Sequence, residues 1–137
     1  MRGGLLTASS HLIFSSEALR ATAGTEDDAT ALRTLAGSTS SFLAGTRGPQ
    51  STLWLDANGE LREIPAFPVH TVDTLGAGDV FHGAFALAMT ENQEVPTALR
   101  FASAAAAIKC TRFGGAFACP QRAEVEAFLK EAAPASA

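Results

Sequence analysis

A glycine-rich turn followed by a carboxylate is the part of this sequence best suited to chemistry. Gly76 and Gly78 flank Ala77, and Asp79 follows directly. Glycine permits the positive φ and the close backbone approach that a bound phosphate needs. We therefore predict that the N–H groups of Ala77, Gly78 and Asp79 point outward as an anion site, with the Asp79 carboxylate placed to take a proton from an attacking hydroxyl. An ordinary helix cap after a glycine-rich loop is the alternative interpretation of these four residues.

The turn must stand at the N-terminus of a helix if its N–H groups are to be free. Apolar residues with helical spacing follow it: Val80, Phe81, Ala84, Phe85 and Ala88. The positive end of the helix dipole would then lie behind the anion site and favour an ionised Asp79. This helix is predicted to end near Asn92, and further helices are predicted over Pro96–Ile108 and Pro120–Ala132, before a frayed tail at 133–137.

Upstream of the turn, short apolar segments alternate with helical ones, which favours an α/β fold with a mostly parallel sheet flanked by helices. Strands are predicted at Leu12–Phe14 and Ser41–Ala44. Two helices lie between them. Ser15 or Ser16 is expected to cap the first helix and Thr25 the second.

A hairpin is predicted after the second strand. Asn58 and Gly59 separate two apolar segments, Thr52–Asp56 and Leu61–Phe67. An Asn-Gly pair in this position is a strong signal for a tight hairpin turn. The sheet should therefore end in an antiparallel hairpin edge.

Composition narrows the classes of function. The 137 residues are 47% hydrophobic and 18% charged, and they contain no apolar run long enough for a membrane helix. The net charge of -4, without any cluster of Lys and Arg, disfavours nucleic acid as a partner. Cys110 and Cys119 lack metal-ligand spacing and are predicted to be buried thiols in a reducing compartment, which indicates the cytoplasm.

The segment Asp-Thr-Leu-Gly-Ala-Gly-Asp-Val-Phe-His-Gly, from Asp73 to Gly83, resembles the second signature of the ribokinase-like (pfkB) carbohydrate kinases. The stretch from Ala98 to Pro120 is similar to the nucleotide-side helix and loop of that family. The resemblance implies ATP-dependent phosphorylation of a sugar hydroxyl, with ATP and Mg²⁺ as cofactors. It makes Asp79 the catalytic base, in contact with the sugar, and the backbone of Gly76–Gly78 the anion hole.

The resemblance also implies a partial domain. Members of the family are about twice as long as this chain. Residues 1–137 are therefore expected to form the C-terminal, nucleotide-binding and catalytic-base part of a ribokinase-like domain, without the N-terminal sugar-binding part and lid. We expect such a fragment to be inactive alone.

Two further sets of residues come from the resemblance. The nucleotide is expected to lie against Leu43, Gly45, Thr46, Gly48, Gly78, Ser103 and Gly114. Leu43 stands where relatives carry Thr, so the contact there should be made by the backbone. An activating monovalent cation such as K⁺ would be held by Asp73 and by backbone at Leu75, Lys109, Arg112 and Gly114. The side chain of Lys109 argues against that cation.

Three functions stay open at this point. The first is a sugar kinase acting on ribose or a ketose, and the second is a nucleoside kinase of the same family. The third is a non-catalytic remnant that binds a nucleotide. An exposed sheet edge also predicts pairing with a second copy of the chain as a homo-oligomer.

Overall fold

The computed structural model describes residues 10–132, which form two compact units. The first unit runs to Pro65 and the second begins at Ala66. All strands of the described chain lie in the first unit. Within 10–132, no helix combines the length and apolarity needed to cross a membrane. The tail predicted to fray, 133–137, lies outside the described residues.

A four-stranded mixed sheet forms the base of the first unit. Its strands, in spatial and chain order, are β1 (His11–Ser15), β2 (Phe42–Thr46), β3 (Thr52–Leu55) and β4 (Leu61–Ile64). β1 and β2 are parallel, whereas β2–β3 and β3–β4 are antiparallel. The predicted α/β fold with an antiparallel hairpin edge is confirmed, but the sheet of the described residues is mixed rather than mostly parallel, with one parallel and two antiparallel strand pairs. Its parallel part is the β1–β2 pair, because a helical crossover is needed to return a strand in the same direction.

That crossover consists of two helices, α1 (Ser16–Ala23) and α2 (Asp28–Ala36). Their apolar faces pack on the sheet around a core of buried aliphatic side chains: Leu12, Leu19, Ala31, Leu32, Leu35, Leu43, Leu53 and Leu55. The apolar positions recur every three or four residues in the helices and every second residue in the strands, as their periods require.

Side-chain caps fix where these two helices begin. Ser15 caps α1, its hydroxyl oxygen accepting the Ala18 N–H at 3.2 Å. Asp27 caps α2, its carboxylate accepting the Thr30 N–H at 2.8 Å. The prediction of Thr25 as this cap is wrong. An N-cap oxygen must reach an N–H in the first turn, and the Asp27 carboxylate does so from the residue that directly precedes the helix.

The hairpin has the predicted turn. Gly59 takes φ +78°, and its N–H donates to the Asp56 carbonyl at 2.9 Å. The Asp56 carboxylate accepts the N–H groups of Asn58 and Glu60 at 2.8 and 3.0 Å. Arg62 donates to the same carboxylate, and this bond is the main reason that the pKa of Asp56 is below its usual range.

β2 is longer than predicted. It continues through Gly45 and Thr46 instead of ending at Ala44. Pairing explains the difference, because Gly45 lies beside Phe14 of β1 and opposite Leu53 of β3. Hydrogen-bonded pairing with a strand on each side keeps the backbone of Gly45 extended, although the residue types alone indicate a turn there.

The second unit is helical in its described part. Its elements are α3 (Ala77–Thr90), α4 (Val95–Cys110), a short 3₁₀ helix (Ala116–Ala118) and α5 (Arg122–Ala132). α3 ends at Thr90 with Glu91 as its C-cap, and Asn92 follows at φ +61°, which confirms the predicted end of that helix near Asn92. Alanines on α4 permit close packing against α3, and Ala98, Ala102 and Ala104 are fully buried.

Two predictions near the C-terminal helix need correction. α5 begins at Arg122 rather than Pro120, because the Gln121 N–H donates to the Glu124 carboxylate and so fixes Gln121 as the cap position. Cys119 is exposed, whereas a buried thiol was expected. It lies in the loop between the 3₁₀ helix and α5, where no side chain covers it fully. Cys110 is half-buried.

Candidate active site

The glycine-rich turn forms the N-terminus of α3, as the sequence predicts. Gly76 is the N-cap at φ +78° and provides no side-chain cap. The Val80 N–H donates to the Gly76 carbonyl at 3.0 Å and closes the first helical turn. A left-handed residue at this position reverses the chain direction into the helix, which is why glycine is needed there.

Two N–H groups, rather than three, are available in this turn. The Ala77 N–H donates to the Thr74 carbonyl at 3.1 Å, so the prediction that it is unpaired is wrong. The reason is local: the chain makes a tight turn just before the helix. The N–H groups of Gly78 and Asp79 find no acceptor within residues 10–132. They leave a pair of aligned donors at the positive end of the helix.

Space in front of these donors is open. A Cβ added to Gly78 would meet no atom within 4 Å outside its own local backbone. The Asp79 carboxylate is exposed in the first turn of α3 and makes no hydrogen bond or ion pair with any described residue. The turn therefore carries, on two consecutive residues, two N–H donors and one carboxylate that have no partner among the described residues.

A cavity of about 630 Å³ in the second unit begins at this turn. Gly76 and Asp79 line it together with mostly apolar residues, among them Val80 and Ala84. Sequence periodicity assigns Val80 and Ala84 to the same helix stripe as the buried Phe81. It could not separate cavity wall from core, because both sets follow one helical repeat.

His82 lies one turn beyond Asp79 on the exposed side of α3. Its Nδ1 is 2.7 Å from the Gly78 carbonyl, to which it donates in the tautomer protonated there. The Phe81 ring packs edge-on against the imidazole. These contacts give His82 a structural part in the first turns of the helix.

The predicted cation residues are brought together by one carboxylate. Asp73 accepts the Leu75 N–H at 3.1 Å through one oxygen and the Gly114 N–H at 3.2 Å through the other. The bond from Leu75, followed by the bond from Lys109, holds the pKa of Asp73 below its usual range. Gly114 takes φ +97°, so a side chain at that position would be strained.

The ammonium group of Lys109 lies among the same oxygens. It is fully buried and donates to the Asp73 carbonyl at 3.0 Å, the Asp73 carboxylate at 3.2 Å and the Arg112 carbonyl at 3.2 Å. Arg112 turns its own side chain away to pair with the Glu124 carboxylate.

The predicted nucleotide residues of the first unit differ in accessibility. Leu43 and Gly45 are buried in β2, and the Leu43 side chain is part of the core. Thr46 is half-buried and donates its hydroxyl to the Phe14 carbonyl at 3.3 Å. Gly48 is exposed at φ +57° in the turn that follows. The buried Leu43 side chain is not accessible to a ligand, and a backbone contact of Leu43 with a nucleotide stays a prediction.

Gly45 also has a packing reason to be glycine. A Cβ at this position would lie 2.8 Å from Cδ2 of Leu19, which is fully buried on α1. In the second unit, Ser103 is half-buried on α4. The roles of these residues toward a nucleotide stay predictions.

Known proteins resemble this chain both in sequence and in three-dimensional structure. The family model described as pfkB family carbohydrate kinase matches residues 5–122. A ribokinase of Bacillus subtilis is 44% identical over 84 residues, which are 61% of this chain and 28% of that protein.

Solved structures share the fold. A putative ribokinase from Agrobacterium tumefaciens matches with a TM-score of 0.89 and 40% identity, over 93% of this chain and 42% of the other. The ribokinase of Arabidopsis thaliana complexed with ribose and ATP matches with a TM-score of 0.86 and 28% identity, over 93% and 43%. The fold is therefore ribokinase-like, and the chain spans less than half the length of these relatives. This chain belongs to the pfkB family of carbohydrate kinases.

Proposed function

We propose that this chain is the nucleotide-binding and catalytic-base half of an ATP-dependent kinase that phosphorylates a sugar hydroxyl. The observation that carries the proposal is that, among the described residues, the exposed Asp79 carboxylate and the two N–H groups at the start of α3 have no partner. A base and an anion site at one helix terminus are the two protein contributions that phosphoryl transfer most needs.

Asp79 acts as the general base in this proposal. Its carboxylate takes the proton of the acceptor hydroxyl as the oxygen–phosphorus bond forms and the bond to the departing ADP oxygen breaks. The N–H groups of Gly78 and Asp79 donate to the transferred phosphoryl group as its charge shifts. Each well-placed donor of this kind contributes about 3 kcal/mol to transition-state stabilisation. Gly76 contributes through the left-handed cap that aims the helix.

ATP is the proposed phosphoryl donor. The residues that the family resemblance implies for nucleotide contact are Leu43, Gly45, Thr46, Gly48, Gly78, Ser103 and Gly114. Mg²⁺ enters with ATP, bound chiefly to phosphate oxygens and water, and neutralises phosphate charge. The Arabidopsis relative bound to ribose and ATP supports this choice of ligand classes.

Residues 1–137 correspond in this proposal to the C-terminal part of the catalytic domain, and a further segment supplies the sugar-binding wall. The chain alone binds nucleotide but does not turn over sugar. The proposed setting is the cytoplasm, with small molecules as partners. Assembly into a homo-oligomer stays a prediction from the sequence.

Replacing Asp79 by Asn in the complete protein tests the proposal. Asn keeps the size and polarity of the side chain but cannot accept the proton. Loss of a general base should lower kcat by about 100-fold or more, while the KM for ATP changes little. Sugar-dependent release of ADP is the readout, with ribose, fructose and adenosine compared as acceptors.

Glu126→Gln is the matched control, since Glu126 is exposed on α5 and its replacement removes the same charge elsewhere in the second unit. Turnover by Asp79→Asn near the parental rate would refute the base assignment. Calorimetric titration of the 137-residue chain with ATP and Mg²⁺ tests the nucleotide site separately.

A further inference from the structure

The buried ammonium group of Lys109 has a complete set of partners. Lys109 is fully buried at the C-terminal end of α4. Its Nζ carries three N–H donors and has three oxygen acceptors within 3.2 Å: the Asp73 carbonyl, the Asp73 carboxylate and the Arg112 carbonyl. A buried charge is stable only when it is paired and fully hydrogen-bonded, and this one meets both conditions.

This contact joins three parts of the second unit. The Asp73 carboxylate also accepts the N–H groups of Leu75 and Gly114, and the N–H of Asp73 donates to the Cys110 carbonyl at 3.1 Å. The ammonium group therefore fixes the segment that enters Gly76, the end of α4 and the loop that follows it. The N–H donors of the Gly76–Asp79 turn depend on the first of these segments.

The acceptors of Lys109 belong to Asp73 and Arg112, two of the residues that the family resemblance implies for a monovalent cation. A potassium ion and an ammonium group carry the same charge, and carbonyl and carboxylate oxygens suit both. A potassium ion sharing the oxygens of Asp73 and Arg112 would lie close to Nζ, where like charges repel strongly in a buried site. The oxygens of Asp73 and Arg112 need one positive charge as a partner, and the ammonium group of Lys109 provides that charge.

We propose that Lys109 is a positioning residue whose ammonium group replaces a bound monovalent cation, so that the turn carrying Asp79 keeps its geometry without potassium. The proposal rests on the proposed function for its meaning in phosphoryl transfer. The proposal also states that the Gly76–Asp79 turn is stable without a bound cation, and this stability can be measured on the chain without an activity assay.

Thermal unfolding of the chain in KCl, NaCl and choline chloride at equal ionic strength is the first test. We expect the parent protein to melt at the same temperature in all three salts, within about 1 °C, because no cation is bound. A melting temperature that rises specifically with potassium would overturn the proposal. This measurement needs no variant, so it decides the question even if a substitution prevents folding.

The second test removes the ammonium group. Lys109→Ala should melt lower than the parent in choline chloride, because Asp73 loses its charged partner. It also leaves space among the oxygens, so potassium at ten times its Kd should raise its melting temperature by about 5 °C. Lys109→Met should lose the same stability without this recovery, because its side chain fills the space.

Lys130→Ala is the control, since Lys130 is the other lysine of the chain and is exposed on α5. It should melt like the parent in every salt. A folded Lys109→Ala that responds equally to potassium and choline would contradict the proposal. A merely structural lysine would give that result.

Amide hydrogen exchange at Leu75 and Gly114 gives a local readout. Both N–H groups donate to Asp73, so they should exchange faster in Lys109→Ala and be protected again by potassium. Unchanged protection of both amides in Lys109→Ala would also refute the proposal. None of these readouts requires Asp79 chemistry, so a failed Asp79→Asn test leaves them interpretable, and the reverse also holds.

Discussion

Alanine at Gly76 and alanine at Gly78 should change stability in opposite directions, although the two glycines are two residues apart. Gly76 takes φ +78° as the cap of α3, and this left-handed conformation costs alanine about 1–2 kcal/mol. A methyl group there would lie 3.8 Å from Cα of Gly115, an ordinary contact, so φ alone carries the cost. Gly78 lies within α3 outside the left-handed region. Alanine there should stabilise by about 0.5–1 kcal/mol.

These free energies convert into measurable shifts of melting temperature. For a chain of this length, 1 kcal/mol corresponds to about 3–4 °C. Gly76→Ala should therefore melt about 3–8 °C below the parent, and Gly78→Ala about 2–4 °C above it. Scanning calorimetry and urea unfolding followed by far-ultraviolet circular dichroism measure the shifts, and amide exchange in α3 locates them.

Binding separates the two roles of this turn. The methyl group of Gly78→Ala would stand in the open space before the free N–H groups, so ATP should bind more weakly to a protein that has become more stable. Gly76→Asn is the matched control for φ, because Asn tolerates the left-handed region and should recover part of the loss. The reasoning is refuted if Gly76→Ala is as stable as the parent, or if Gly78→Ala loses as much stability as Gly76→Ala.

Two further predictions concern Asp73 and Gly45. The folded pKa of Asp73 lies below its unfolded value of about 3.9, so its stabilising contribution is present above that pH and is lost as the pH falls toward the folded pKa. Urea titrations from about pH 6 to pH 3 should show the stability gap between the parent and Asp73→Asn closing in acid, and a constant gap would contradict this. Gly45→Ala should cost about 1–3 kcal/mol through the 2.8 Å approach to Leu19. The cost should shrink in a Leu19→Ala background, whereas additive losses in a double-mutant cycle would show that Leu19 is not its cause.

Local signals in the sequence were sufficient for most elements. The Asn58-Gly59 pair indicated the hairpin, although only Gly59 takes a positive φ, at the end of a turn that the Gly59 N–H closes on the Asp56 carbonyl. Ser15 and Asn92 marked helix ends through short-range hydrogen bonding and tolerance of the left-handed region. The position of Asp79 in the first turn of α3 followed from the glycines before it and the helical repeat after it.

The sequence-based predictions were wrong mainly in two situations. In one, two nearby residues were both suitable as a helix cap; in the other, pairing with neighbouring strands determined where a strand ends. Thr25 and Asp27 are both good caps, and only the backbone geometry before α2 shows that Asp27 reaches the free N–H. β2 extends through Gly45 and Thr46 because strands distant in sequence pair on both sides of it. The Ala77 N–H is used inside the turn, a detail of one backbone hydrogen bond that residue types do not encode.

The sequence by itself determined the chemistry available to this protein: a carboxylate after a glycine-rich turn, an α/β order of elements and a net charge of -4. These depend on residue type and on spacings of a few positions along the chain. Only the tertiary structure decided which groups are free and which are already satisfied. It left Asp79 and two N–H groups without partners among the described residues, and it enclosed Lys109 among oxygens of Asp73 and Arg112. Burial and hydrogen bonding between segments far apart in sequence set those states, and no local pattern contains that information.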